Sequence, residues 1–286
     1  MSTNLKLHSL KITIMFFIIL MLSNCLEKSS YKFNSYNLNK KNNIKIKLPE
    51  ELNEISGLAN VEDNHILAHN DEEGIVYKIK LSSGEQVNKF ILGNKLIRKD
   101  FEGIALVKDT LFLVTSKGIL YKYPGFADEK FTEYEKIKTG LKAENNVEGL
   151  CYDEDTKSLL LACKDKPGKG YKGNKAVYSL NLEKMRLESK PRFLISIKML
   201  KDKFDIKEFS PSGIAKHPVS GNFYIISANI RAIIEISPDG KILAAVKLNK
   251  KYHKQPEGIT MLPNGSLIIA DEGNGGKGYI TIVNRN

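Results

Sequence analysis

Tryptophan is absent from the 286 residues, so no repeat built on a Trp-Asp signature is present. Cysteine is scarce: Cys25, Cys151 and Cys163 are the whole complement, and their spacing is not that of a zinc site. The phosphate-loop pattern G-x-x-x-x-G-K-[S/T], the nucleophile elbow G-x-S-x-G and the metalloprotease signature H-E-x-x-H are all missing. The glycine- and lysine-rich stretch "KDKPGKGYKGNK" (164–175) follows a strand in a hairpin instead of opening a helix, which excludes it as a phosphate cradle. A net charge of +11 comes without a basic helix or an aromatic stacking platform. The lysines are scattered through turns among acids, and the expectation is that nucleic acid is not a partner. Long apolar runs are limited to "ITIMFFIILML", shorter than the roughly 20 residues of a spanning helix.

That run follows the basic stretch "MSTNLKLHSLK" and precedes "LSNC", ending at Cys25. Residues 1–25 read as a signal peptide. Leu-Ser-Asn-Cys resembles the bacterial lipobox, and the resemblance implies lipid attachment at Cys25 and a membrane partner through that anchor. Simple secretion with cleavage elsewhere is the alternative. Leu26 stands where an Asp would mark inner-membrane retention, so the expected location is the cell envelope, as an outer-membrane lipoprotein. Residues 26–43, "LEKSSYKFNSYNLNKKNN", have almost no apolar periodicity and read as a polar tether. Residues 44–286 remain for the folded domain.

A repeat runs through that domain. "NEISGLA", "KDFEGIA", "NNVEGLC", "FSPSGIA" and "KQPEGIT" place Gly57, Gly103, Gly149, Gly213 and Gly258 at intervals of 46, 46, 64 and 45 residues. Each motif opens a set of short strands, such as "EGIALV", "TLFLVTS", "ILYKYP" and "TEYEKIKT", separated by turns such as "VSGN", "SPDG" and "LPNG". Four strands every ~45 residues is the mark of a β-propeller blade. The last unit supplies three strands, and "IKIKLP" (44–49) supplies the missing fourth. The reading is all-β: a single propeller of five four-stranded blades, closed by pairing the N-terminal strand with the last blade, with six blades as the alternative. The extra residues between Gly149 and Gly213 read as loops around "KDKPGKGYKGNK" and "MLKDKFDIKEF". Cys151 and Cys163 fall on neighbouring strands of one hairpin; two small buried hydrophobes is the preferred reading, a disulfide the other.

The ordered set "KDFEGIA", "FSPSGIAKHP" and "QPEGITMLPNGSLIIADEG" resembles the SdiA-regulated family of bacterial propellers, distantly akin to NHL-repeat proteins. The likeness spans residues 44–286. It implies a calcium-binding propeller, and no particular reaction.

The residues themselves carry a related message. The position before each repeat glycine is Ser56, Glu102, Glu148, Ser212 or Glu257, and two places earlier stand Glu54, Asp100, Asn146, Ser210 or Gln255. All ten are polar, yet they lead into apolar strands. The first strand of a blade lines the central channel, and residues i and i+2 of a strand share a side. Two stacked polar layers around the axis are therefore expected, with the glycines letting backbones approach. Carboxylates crowded there must protonate, find water or bind a cation. The all-oxygen set suits Ca²⁺, with Glu102, Glu148 and Glu257 as expected ligands and Glu54 and Asp100 next. A water-filled channel whose acids pair with lysines is the competing reading.

Long loops gather on the face carrying these residues. His69, Asn70 and Asp71 end one second strand, and Asp271 and Glu272 occupy the matching place in the last blade. His253, near the channel mouth, reads as a solvent-exposed loop histidine; His65 and His217 have no functional case. Two functions follow. One is a non-enzymatic module binding an extracytoplasmic ligand or protein. The other is a calcium-dependent hydrolase of the lactonase or esterase type, with the ion as Lewis acid and His253 or His69 as base. No recognisable catalytic motif decides between them.

Overall fold

Alternate residues of a strand face opposite ways, so a strand sandwiched between two neighbours is apolar throughout. "SLLLAC" (158–163) is such a strand: Leu159, Leu161 and Cys163 join one buried cluster while Leu160 and Ala162 join another. The computed structural model describes residues 33, 35–38, 43–62, 64–124 and 131–286. Blade one runs Ile55–Glu62, His65–Asn70, Ile75–Lys80 and Gln86–Leu92. Blade two runs Phe101–Val107, Thr110–Thr115, Ile119–Pro124 and Glu135–Lys138. Blade three has Val147–Asp153, Ser158–Cys163 and Asn174–Asn181, with Arg186–Leu187 and Phe193–Ser196 both pairing its third strand. Blade four comprises Gly213–Lys216, Phe223–Ser227, Ala232–Ile236 and Ile242–Lys247. Blade five has Pro256–Met261, Leu267–Asp271 and Tyr279–Val283. Its fourth strand is Ile44–Lys47, antiparallel to Tyr279–Val283 with Ile44 opposite Ile282. The inner strands pack against one another in order, and the fifth returns to the first. This is a five-bladed propeller closed by its N-terminal strand.

The core is five wedges, not one mass. Each buried cluster lies between two successive blades, and together they account for every junction of the ring. Cys151 belongs to the wedge between blades three and four, Cys163 to that between two and three. The two thiols face opposite sides of one sheet and are free, which answers the disulfide question.

Two parts differ from the sequence reading. "MLKDKFDIKEF", expected as loop, overlaps the helix Ile197–Phe204. Ser196 caps it by accepting the Met199 amide at 3.2 Å, and Leu200 is buried. This helix and the extra edge strand Phe193–Ser196 absorb the residues that a sixth blade would have needed. Within 26–43, expected as tether, Tyr36 and Leu38 are each 3% exposed and join the wedge between blades four and five. Tyr36 donates its hydroxyl to the Gly265 carbonyl at 2.6 Å and meets the Tyr224 ring edge-on at 5.7 Å. Packed chain therefore starts upstream of residue 44. The expected leader and Cys25 lie outside the described residues.

The repeat glycines sit where inner strands nearly touch. A Cβ on Gly103 would lie 2.8 Å from the Leu150 amide nitrogen, and one on Gly213 2.7 Å from the Glu257 carbonyl oxygen. Gly103→Ala is expected to cost about 2 kcal/mol, measured by urea unfolding, because backbone and not a flexible side chain must give way.

Candidate functional site at the head of the channel

Four inner strands bulge directly before the repeat glycine. Pairing jumps between Ile55 and Gly57, Phe101 and Gly103, Val147 and Gly149, and Pro256 and Gly258. The skipped residues are Ser56, Glu102, Glu148 and Glu257. A bulged residue leaves the ladder and its side chain is re-aimed. In blade four the strand begins at Gly213 itself, and Ser212 hydrogen-bonds to the Ile226 carbonyl at 2.9 Å. Ser56, Glu102, Glu148, Ser212 and Glu257 meet around a constriction of about 10 Å³, scarcely room for one water. The expected inner ring is present.

The expected second layer is not stacked beneath or above it in the same way. Each bulge breaks the strict alternation, so the outer positions lie beyond the strand. Glu54 and Asp100 are exposed at the mouth, and Asp100 accepts a hydrogen bond from Ser116. Gln255 and Ser210 line a cavity above the ring, and Asn146 occupies a turn with φ of 50°. Below the ring, Leu58, Ile104, Leu150, Ile214 and Ile259, one per blade, pinch the axis. The ring is thus the floor of a funnel, with a separate cup of about 180 Å³ on the far side.

Lys164 reaches into this ring. Its ammonium lies 2.9 Å and 3.0 Å from the two oxygens of Glu148. Burial raises the Glu148 pKa while Lys164 pulls it down, and burial wins. Burial, then the charges of Glu148 and Asp100, push Glu102 up to about 9. Burial and Glu148 push Glu257 up to about 8, against the Gln255 amide that donates to it at 3.2 Å. At neutral pH Glu102 and Glu257 hold protons, and Glu148 is matched by a lysine.

Lys164 was missed in the sequence, though its slot is visible. Ser116, Lys164 and Glu272 each follow a second strand, and each donates its amide to the outer-position residue of its blade: Asp100 at 3.1 Å, Asn146 at 2.8 Å and Gln255 at 2.8 Å. Aligning strand ends as well as glycines would have shown a lone cation among polar and acidic neighbours.

The funnel widens into a cavity of about 680 Å³ over blades three to five. Lys164, Arg231, Lys250 and Lys254 line it, with Glu257 at its base. Neither histidine suggested as a base lines it. His253, expected in solvent, is fully buried, its Nδ1 2.9 Å from Asp271 Oδ2, because the loop before blade five folds back over the second strand of that blade. His69 is also fully buried, with Nδ1 2.8 Å from the Asn70 carbonyl, and burial lowers its pKa to about 4. Its Nε2 lies under Gly57, where a Cβ would collide with it.

A family model described as SdiA-regulated matches residues 32–275. The chain belongs to the SdiA-regulated family. Among solved structures, this family member is similar to the glutaminyl cyclase of Myxococcus xanthus, at 13% identity and a TM-score of 0.55, over 85% of this chain and 94% of that one. It is also similar to a luciferin-regenerating enzyme, at 11% identity and a TM-score of 0.53, over 85% and 95% of the two chains. At such identities the likeness is one of fold. No curated protein sequence matches the chain.

Calcium, implied by the family resemblance, can be weighed against this ring. The donors suit it by type, being carboxyl and hydroxyl oxygens. Their arrangement suits it less: among the described residues no three His, Cys, Asp or Glu groups converge as a metal site, and an ammonium group already neutralises Glu148. A divalent ion would have to displace Lys164 and two protons.

Two expectations follow from the ring. The unfolded chain releases the Glu102 and Glu257 protons above about pH 4.5, whereas the fold keeps them to about 9 and 8. Stability therefore falls as pH rises through that window. Glu102→Gln should flatten this slope and exceed the native protein by more than about 1 kcal/mol at pH 9, read from denaturant melts. Lys164→Met strands Glu148, which should cost about 3 kcal/mol at pH 8 and less at pH 5. The same variant should bind calcium at least about tenfold more tightly than the native protein by calorimetric titration, since the competing cation is gone; equal affinities would place calcium elsewhere.

Proposed function

We propose that this protein is a ligand-binding module, held in the cell envelope by a lipid on Cys25 and working through the funnel face. The supporting observation is the cavity of about 680 Å³ that opens on that face directly above the polar ring. Such a volume is that of a small-molecule site. The leader, the apolar run and Leu-Ser-Asn-Cys support the anchor, and Leu26 favours the outer membrane. Calcium at Glu102, Glu148 and Glu257 belongs to the proposal as an ion in competition with Lys164, with Glu54 and Asp100 at the mouth as outlying acids.

A hydrolase is the second reading, favoured by the oxygen-only ring at the floor of an open cavity. There a bound ion would supply Lewis acidity. The burial of His253 and His69 away from the cavity weighs for the binding module, since a general base must come within hydrogen-bond reach of its proton. Fold likeness to enzymes does not carry chemistry with it.

Ala228, half-buried on the cavity wall, gives the test. In thermal-shift measurements across small sugars, polyols and organic acids, at least one compound should raise the melting temperature of the native protein. Ala228→Trp, whose indole fills the cavity, should lose that response. Calcium-dependent turnover of a lactone or aryl ester that vanishes in Ala228→Trp would favour the hydrolase instead.

A further inference from the structure

Unpaired cations gathered on one wall raise the local positive potential, and this cavity gathers three, one half-buried and two exposed. Arg231, Lys250 and Lys254 line it, and none forms an ion pair among the described residues. Lys164 adds a fourth, already matched by Glu148. Against them stands one carboxyl group on the wall, Glu257, at the base and held by Gln255.

The remaining wall is polar in a particular way. The Asn229 side-chain oxygen accepts the Ser227 hydroxyl at 2.6 Å, so the Asn229 amide group is left as a donor. Ser227 in turn accepts the Ser210 amide at 3.0 Å, which ties this corner of blade four together. Ala228 is the one apolar side chain on the wall, and no aromatic or branched aliphatic side chain lines the cavity. A ligand with a flat ring system or an alkyl tail would meet only the Arg231 guanidinium plane and lysine stems, with no apolar pocket to enter.

Arg231 has a backbone oddity that bears on its use. It sits at φ 49° in the turn joining Phe223–Ser227 to Ala232–Ile236. That left-handed conformation is where glycine is the easier residue. The turn itself does not call for a guanidinium, and glycine would serve it as well.

We infer that the cavity takes a compact, wholly polar oxyanion, a phosphorylated polyol or a hydroxycarboxylate, with Arg231 as the forked donor and Lys250 and Lys254 as flanking charges. This rests on the cavity being the binding site. Guanidinium matches the two oxygens of a phosphate or carboxylate group, and the amide and hydroxyl groups of Asn229 and Ser210 suit the hydroxyls of a polyol.

Calorimetric titration of the full chain with glucose 6-phosphate, citrate, inorganic phosphate and glucose tests it. Glucose 6-phosphate or citrate should bind, more weakly as salt rises from about 50 to about 500 mM, and glucose should not. Binding of inorganic phosphate as well would mean that the oxyanion group alone is recognised; binding of citrate alone would select carboxylates. Arg231→Gly should keep or raise the melting temperature, because glycine suits the turn, and still lose affinity about tenfold or more. Glucose binding as well as its phosphate, with Arg231→Gly without effect, overturns the ligand class and leaves the cavity as the site. No binding by any of the anions also overturns the class. Should Ala228→Trp then leave every thermal-shift response intact, the cavity itself is lost as the site.

Discussion

Five backbones can converge on one axis only if each presents no side chain at the point of nearest approach. Gly103 and Gly213 show how little space there is, since a single added carbon would press on the backbone of the next blade. The rest of the functional face hangs on that closeness. Tight convergence draws the residue before each glycine into a ring, and the residue after each glycine into the aliphatic pinch that seals the ring from below. The same geometry takes the carboxylates out of water, which is why protons and an ammonium group gather there.

Two kinds of neutralisation coexist in the ring. Glu102 and Glu257 keep their protons because burial penalises charge next to Glu148. Glu148 is served by Lys164, held in place because Lys175 donates to the Lys164 carbonyl and the Lys164 amide bonds to Asn146. The arrangement costs no net charge at the axis near neutral pH. It leaves the uncompensated cations higher up, on the cavity wall, where water still reaches them.

Much of the architecture was legible because a blade is a local object. Hairpins joined by "VSGN", "SPDG" and "LPNG" declare themselves within a dozen residues, and the exchange of Ile44–Lys47 into the last blade follows from counting strands. The inner ring was legible for the same reason, as it falls one place before a repeating glycine. What alternation could not give was the effect of the bulge: one extra residue in the inner strand sends Glu54 and Asp100 to the mouth. Lys164 and His253 were opaque because their partners, Glu148 and Asp271, are sixteen and eighteen residues away across a fold that must already exist. The helix Ile197–Phe204 was hidden by its brevity, with Leu200 its one fully buried side chain.

Sharing the fifth sheet between both ends of the chain sets an order of events. Ile44–Lys47 finds its partner only in Tyr279–Val283, beyond the other four blades in the sequence. During synthesis the ring can acquire four complete blades and still gape, with two unsatisfied strand edges facing water. Closure waits until Tyr279–Val283 exists, so the ring shuts last, once every other blade can be in place.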